Sequence, residues 1–203
     1  MNSSAGHGHA FAKCGKDVRV WPLAKIIGPE TISLGDAVII DDFVLIMGGR
    51  RSAIGSFIHI ASFTSITGGG EFLMEDFATL SSGIRVFTGT DDFSGNYMAN
   101  SAVPYPYRQP TRSFVTMKKH SIVGANSVIL PGVTLGEGAA IGANSLVLKD
   151  CEPWTIYVGS PARPLKPRRR DRIVEFEAQL RRELYDAHGL YIPADQRTAK
   201  TTH

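Results

Sequence analysis

Cysteine is almost missing from this chain. Cys14 and Cys151 are the two in 203 residues, and no CxxC pair occurs. A disulfide-stapled secreted scaffold and a zinc ribbon are therefore both poor readings. Charge of one sign is equally scarce: 22 Lys+Arg against 19 Asp+Glu leave a formal net charge of +3, too mild for bulk attraction to nucleic acid. No apolar run approaches the ~18 residues of a spanning helix, which argues against membrane insertion. The N-terminus MNSSAGHGHAFAKCG lacks the basic-then-apolar order of a secretion signal, so the cytoplasm is the expected location. With 21 Gly and 11 Pro, the chain is no low-complexity or collagen-like polymer. What remains is ordinary globular usage, at a length that suits one domain with an appendage.

What the sequence does have is a beat of six. From Val123 it divides into VGANSV, ILPGVT, LGEGAA, IGANSL, VLKDCE and PWTIYV. All but the last open on an aliphatic residue: Val123, Ile129, Leu135, Ile141, Val147. The N-terminal half keeps the unit, with openers at Val20 and Ile26, then Leu34, Ile40 and Ile46, then Ile54, Ile60 and Ile66, then Met74, Leu80 and Val86. Within a group the step is six and between groups eight, and Cys14 supplies the first opener. A strand rises roughly 3.3 Å per residue, so a hexad is a short strand plus a corner. Three hexads make a triangular turn whose openers point inward, with small residues easing the corners. A β-sandwich would not keep this period. The expected fold is all-β: a parallel β-helix over residues 14–166, behind a flexible N-terminus of residues 1–13.

The stretch VGANSVILPGVTLGEGAAIGANSLVLKDCEPWTIYVGSPARPLK resembles the hexapeptide-repeat acyltransferases, and GSPARPLK is its most specific part. The resemblance implies a left-handed helix, an exception to the usual right-handed crossover. It also implies an acetyl-CoA-dependent enzyme, homotrimeric, with sites between subunits and no metal. The branch it is most similar to acetylates hydroxyl or amino groups of sugars, antibiotics and small metabolites. A sugar or nucleotide-sugar of surface-polysaccharide or lipopolysaccharide precursor synthesis is the expected acceptor. By position, the family's CoA contacts fall on Ala125, Ala143 and Lys149 beside the amide-rich arm, and on Arg163 and Lys166 near the nucleotide end. Arginine suits phosphate because its planar fork can donate two bonds at once.

The beat breaks after Asp91, and the next clean opener is Val123. Residues 92–122, with Phe93, Tyr97, Tyr105 and Tyr107, are too long for an idle connection. In the resembled family a loop expelled here helps form the neighbouring subunit's acceptor site. After Pro167 the character turns helical. Ile173, Phe176, Leu180 and Leu184 form one apolar stripe of a helix over residues 167–189, followed by a polar tail, residues 190–203, expected to fray.

A hydroxyl acceptor needs a base, most often histidine. Many relatives place it on the expelled loop, where this chain has Asp91, and no histidine lies between His59 and His120. That leaves His59 as the leading base, placed at a corner because it closes the hexad IGSFIH. Asp91 or Asp92 would orient it or bind sugar hydroxyls. His120 reads as a surface residue, Arg168 to Arg172 as the solvated start of the helix, and His188 as a cap at its end. An amino-sugar acceptor carries its own nucleophile and would tolerate the missing histidine. Two other classes fit less well. A zinc β-helix enzyme of the carbonic anhydrase type needs three spaced histidines, and a non-enzymatic binding solenoid would show flat ladders of one repeated residue.

Overall fold

The computed structural model describes residues 10–197. They form a three-sided parallel β-helix, and each side is one parallel sheet wound through successive coils. The first face begins at Lys13–Cys14 and ends at Val133–Leu135; the third runs from Lys25–Ile27 to Leu146–Val147. The second face, from Arg19–Val20 to Thr155–Val158, is closed by the antiparallel strand Arg163–Pro167. Register is tight: Val38, Ile39 and Ile40 sit opposite Ile58, His59 and Ile60.

The expected openers build the core. Every one from Val20 to Val147 is buried, with a second inward residue two positions earlier in most strands, as in Val38/Ile40 and Ile58/Ile60. Cys14 is the exception, since its coil is the first and it stays exposed. The corners follow a different rule from the expected one. Small residues are needed one position after the opener, where coils touch: a Cβ on Gly35 would lie 2.7 Å from the carbonyl carbon of Gly55 in the next coil. Three positions after the opener, however, the left-handed backbone is often taken by a large residue, including Phe57 (φ 58), Phe77 (φ 62), His120 (φ 60) and Trp154 (φ 51). That conformation costs a non-glycine residue roughly 1–2 kcal/mol. Stacking offsets it. Phe57 lies 4.9 Å from Phe77, Phe77 5.2 Å from His120, and His120 6.0 Å from Trp154.

The expelled loop is shorter than residues 92–122. Phe114–Met117 is already back in the first face, with Val115 opposite Phe72 and Met117 opposite Met74. Met117 serves as an opener, its flexible thioether filling the column that isoleucine and leucine fill elsewhere. The loop proper spans 91–113 and leaves from the corner between the third and first faces.

The C-terminal helix, α1, runs from Asp171 to Leu184. Its inner face differs from the apolar stripe. Ile173, Leu180 and Leu184 are half-buried there, but Phe176 is 53% exposed and Glu177 and Arg181 turn inward instead. The reason is electrostatic: the corner ladder offers Asp76, Lys119 and His120. Glu177 meets Lys119 at 2.6 Å, His120 at 2.8 Å and Arg181 at 2.6 Å, and Arg181 reaches Asp76 at 2.9 Å. His120 is thus buried against the helix rather than a surface residue. His188 lies beyond the helix end and caps nothing; its N–H donates to the Asp186 carboxylate. Nor is the whole tail loose. Tyr191 is buried and donates its hydroxyl to Asp17 at 2.8 Å, so helix and tail strap the last coils to the first. The rest of the expected flexible termini, residues 1–9 and 198–203, lies outside the described residues.

This strap has a pH signature. Burial would raise the Glu177 carboxyl, but hydrogen bonds from Lys119, Arg181 and His120 bring it down to about 2. A depressed carboxylate contributes stability that is complete above its unfolded value, ~4.3, and lost as pH falls towards about 2. Glu177→Gln should therefore lower Tm at neutral pH. The gap from the native protein should close as pH falls through that window in thermal melts, and a gap independent of pH would contradict the assignment.

Candidate active site

The loop is built around Asp92. Its carboxylate accepts the Ser94 hydroxyl at 2.6 Å and the N–H groups of Ser94 and Tyr97 at 2.9 and 2.8 Å. The Ser94 hydroxyl and these backbone donors hold its pKa at about 2. Asp92 therefore folds the loop, with its oxygens committed to that task. The loop base is pinned by a two-residue antiparallel ladder, Gly89–Thr90 with Thr111–Arg112, and Arg112 donates to the Gly68 carbonyl.

Asp91 is differently placed. Its carboxylate accepts a long bond from the Asn100 N–H at 3.3 Å, while its backbone carbonyl accepts from the Thr90 hydroxyl at 3.1 Å. It is half-buried and lines two cavities. One, of about 760 Å³, has apolar walls from Phe87, Leu130 and Pro131 of the prism and Phe93 and Ala99 of the loop. The other, about 490 Å³, lies among Asp92, Tyr97, Gln109 and Thr111. A mostly apolar pocket with one convergent carboxylate can hold a sugar ring on its carbon faces and a cation at its rim.

His59 does not share this site within one chain. It sits in the middle of Ile58–Ile60 and points outward from the second face, not at a corner. The residue before each opener lies within its strand, not at the turn between strands. Its Nε2 is 3.0 Å from Asp41 Oδ2, one coil earlier. A carboxylate only accepts, so the neutral ring donates from Nε2 and keeps its lone pair on Nδ1. Sequence reasoning missed Asp41, although the two lie in neighbouring twenty-residue coils at nearly matching positions.

The residues assigned to CoA fall into two groups. Lys149 and Arg163 line one cavity of about 220 Å³ below the last coils, beside Tyr157 and Cys151. Burial, then the neighbouring Asp150 and Glu152, push the Cys151 thiol up to about 12, which keeps it an inert thiol. Lys166 lies exposed on the closing strand, paired in register with Ile156. Ala125 and Ala143 lie at the second-to-third corner in successive coils, joined where the Asn144 N–H donates to the Ala125 carbonyl at 2.9 Å. Both are small side chains on a partly exposed edge. Arg168 is no solvated helix start. It is half-buried, donates to the carbonyls of His120 at 2.8 Å and Gly138 at 2.9 Å, and loses basicity through burial. It ties the closing strand to the coils.

A further feature was not legible as a site. At the second-to-third corner Phe43 and Phe63 stack at 5.3 Å while remaining 54% and 59% exposed. Trp21 and Leu23 extend this apolar edge into the first coil. Among the described residues no group of three or more His, Cys, Asp or Glu is placed to hold a metal, and no helix is long and apolar enough to cross a membrane.

Comparison with known proteins adds the following. The family described as bacterial transferase hexapeptide (six repeats) matches residues 114–149. The dTDP-4-amino-4,6-dideoxy-D-glucose acyltransferase of Escherichia coli is 40% identical over 169 residues, 83% of this chain and 88% of that protein. The structure of AntD, an N-acyltransferase from Bacillus cereus, in complex with dTDP and 3-hydroxybutyryl-CoA, is 43% identical over 84% of this chain and 89% of its own, with a TM-score of 0.79. A maltose O-acetyltransferase from Clostridium difficile, 20% identical with a TM-score of 0.54 over 79% of this chain and 71% of its own, shares the fold. The coils are those of a left-handed β-helix.

Proposed function

This chain belongs to the hexapeptide-repeat acyltransferases, and on that premise we propose that it acetylates the amino group of a nucleotide-linked amino sugar. It is an enzyme of CoA-dependent acyl transfer to a sugar; the choice of nitrogen over oxygen is our reading. The observation that carries it is Asp91. Its carboxylate lines both loop cavities, where among the described residues no imidazole does, and an ammonium or amine is the matching partner.

The chemistry then runs as follows. Asp91 accepts a hydrogen bond from the sugar amine and aims its lone pair at the thioester carbonyl. Attack forms the C–N bond and a tetrahedral oxyanion, which backbone N–H groups of the cleft stabilise. The C–S bond breaks, CoA leaves as thiolate, and the proton shed by nitrogen ends on that sulfur. No strong protein base is required, because the nucleophile is an amine once deprotonated. The donor's amide-rich arm lies along the edge of Ala125 and Ala143 beside Lys149, with Arg163 and Lys166 facing its phosphates. The 220 Å³ cavity shared by Lys149 and Arg163 supports this placement.

We assign the working form as a homotrimer. The exposed Phe43–Phe63 edge suits burial against a neighbour's loop, and His59 and Asp91 can share an acceptor only across such a contact. The acetyl-CoA requirement favours the cytoplasm, and the acceptor class fits precursors of surface polysaccharide. A hydroxyl acceptor is the second reading, favoured by one observation: the Asp41-oriented His59, whose free Nδ1 could take a hydroxyl proton. His59→Ala separates the two. Near-full turnover supports amine transfer, and a loss of roughly 10²-fold supports hydroxyl transfer.

Arg163→Ala and Lys166→Ala should each raise the KM for acetyl-CoA by about tenfold, the worth of one charge-assisted bond, with acceptor KM unchanged. Steady-state kinetics with each substrate varied in turn checks this; an unaltered acetyl-CoA KM in both variants would remove these residues from the donor site.

A further inference from the structure

The expelled loop, residues 91–113, carries two cations, Arg108 and Arg112. Arg112 is occupied by the Gly68 carbonyl and packs over Gly69. Arg108 is not. Its Nε is buried without a hydrogen-bond partner, and no ion pair to it occurs among the described residues. Its guanidinium lies 4.8 Å over the ring of Tyr105, itself 65% exposed. The loop's own carboxylates do not serve it: Asp92 is filled by Ser94 and Tyr97, and Asp91 meets Asn100.

A buried donor left unmet in a folded protein calls for an explanation. Here the exposed Tyr105 ring packs over the guanidinium carbon and leaves the buried Nε unanswered, and arginine is the side chain suited to take an oxyanion with two parallel bonds. The neighbour in sequence, Gln109, lines the same cavity as Asp91. The loop thus carries both a carboxylate that lines the cavities and, one residue before Gln109, an unanswered guanidinium. A nucleotide-linked amino sugar has the complementary pair, an amine on the ring and a diphosphate on the anomeric oxygen. We propose that Arg108 binds the diphosphate of the acceptor and so makes the enzyme select nucleotide-linked over free amino sugars. The inference rests on the acceptor reading above and deepens it: Asp91 takes the amine end, Arg108 the phosphate end.

Thymidine diphosphate is the probe, titrated calorimetrically into the intact native protein, Arg108→Gln and Arg108→Lys, with acetyl-CoA binding and sedimentation measured alongside. The expected result is a rise in Kd for thymidine diphosphate of tenfold or more in Arg108→Gln and a smaller rise in Arg108→Lys. Acetyl-CoA affinity and the assembly state should stay native. Kinetics should agree: KM rises for a nucleotide-linked amino sugar and not for the same sugar as a methyl glycoside. Native affinity for thymidine diphosphate in Arg108→Gln overturns the role of Arg108 alone. Absence of binding by the native protein overturns the acceptor reading with it. Loss of assembly in Arg108→Gln assigns the guanidinium to a neighbouring copy and also overturns the proposal.

Discussion

Asp91→Ala should lower the turnover number with an amino-sugar acceptor by about 10²-fold, the usual cost of losing the group that aims the nucleophile at the reacting atom. The effect belongs in kcat more than in acetyl-CoA binding, because Asp91 faces the loop cavities and not the one lined by Lys149 and Arg163. Asp92→Ala gives the contrast. Asp92 fixes the turn that runs through Ser94 and Tyr97, so its removal should raise the acceptor KM by loosening the loop. Equal kinetic behaviour of the two variants would mean that both act only through loop structure.

A second large effect is expected at the apolar edge. Phe43 and Phe63 are stacked, exposed and set in the left-handed corner conformation, so they project from the prism. In the proposed trimer, Phe63→Asp would bury an unpaired charge at a subunit contact, at about 3–5 kcal/mol, roughly two to four orders of magnitude in association. At micromolar concentration the variant should sediment as a monomer with its β-helix intact by circular dichroism. Its activity should fall at least as far if, as proposed, the acceptor site draws on a neighbour. A native protein that sediments as a fully active monomer would contradict the assembly.

The solenoid was legible because the aliphatic period is imposed by geometry: each opener must fill the prism or leave a hole. Ile40, Ile60 and Leu80 stack in one column for that reason. What the period hides is identity at the corners. Nothing in Phe57, Phe77, His120 and Trp154 read singly announces that they form one ladder of rings; they are 20, 43 and 34 residues apart and meet only because coils add vertically. The same blindness misplaced His120 and Phe176. Helical spacing alone puts Phe176 on the apolar stripe, whereas the charged residues of the corner draw Glu177 and Arg181 inward. Met117 was recoverable, six residues before Val123 with Val115 two before it, but methionine in a run of polar residues carries a weak signal. Of the candidate site, the tail motif picks out Arg163 and Lys166, whereas the cavity that Arg163 shares with Lys149 shows only in three dimensions. The committed state of Asp92, the Asp41–His59 bond and the unanswered Arg108 depend on side-chain partners that no spacing encodes.

The central claim is tested most directly by incubating the purified protein with acetyl-CoA and a dTDP-linked amino sugar, following free thiol release and identifying the product. The account predicts stoichiometric CoA release and a product bearing an amide-linked acetyl group, with a much slower reaction when the ring amine is replaced by a hydroxyl. Release that proceeds equally well with the hydroxyl sugar, giving an ester, or no release with any amino sugar offered, would contradict it.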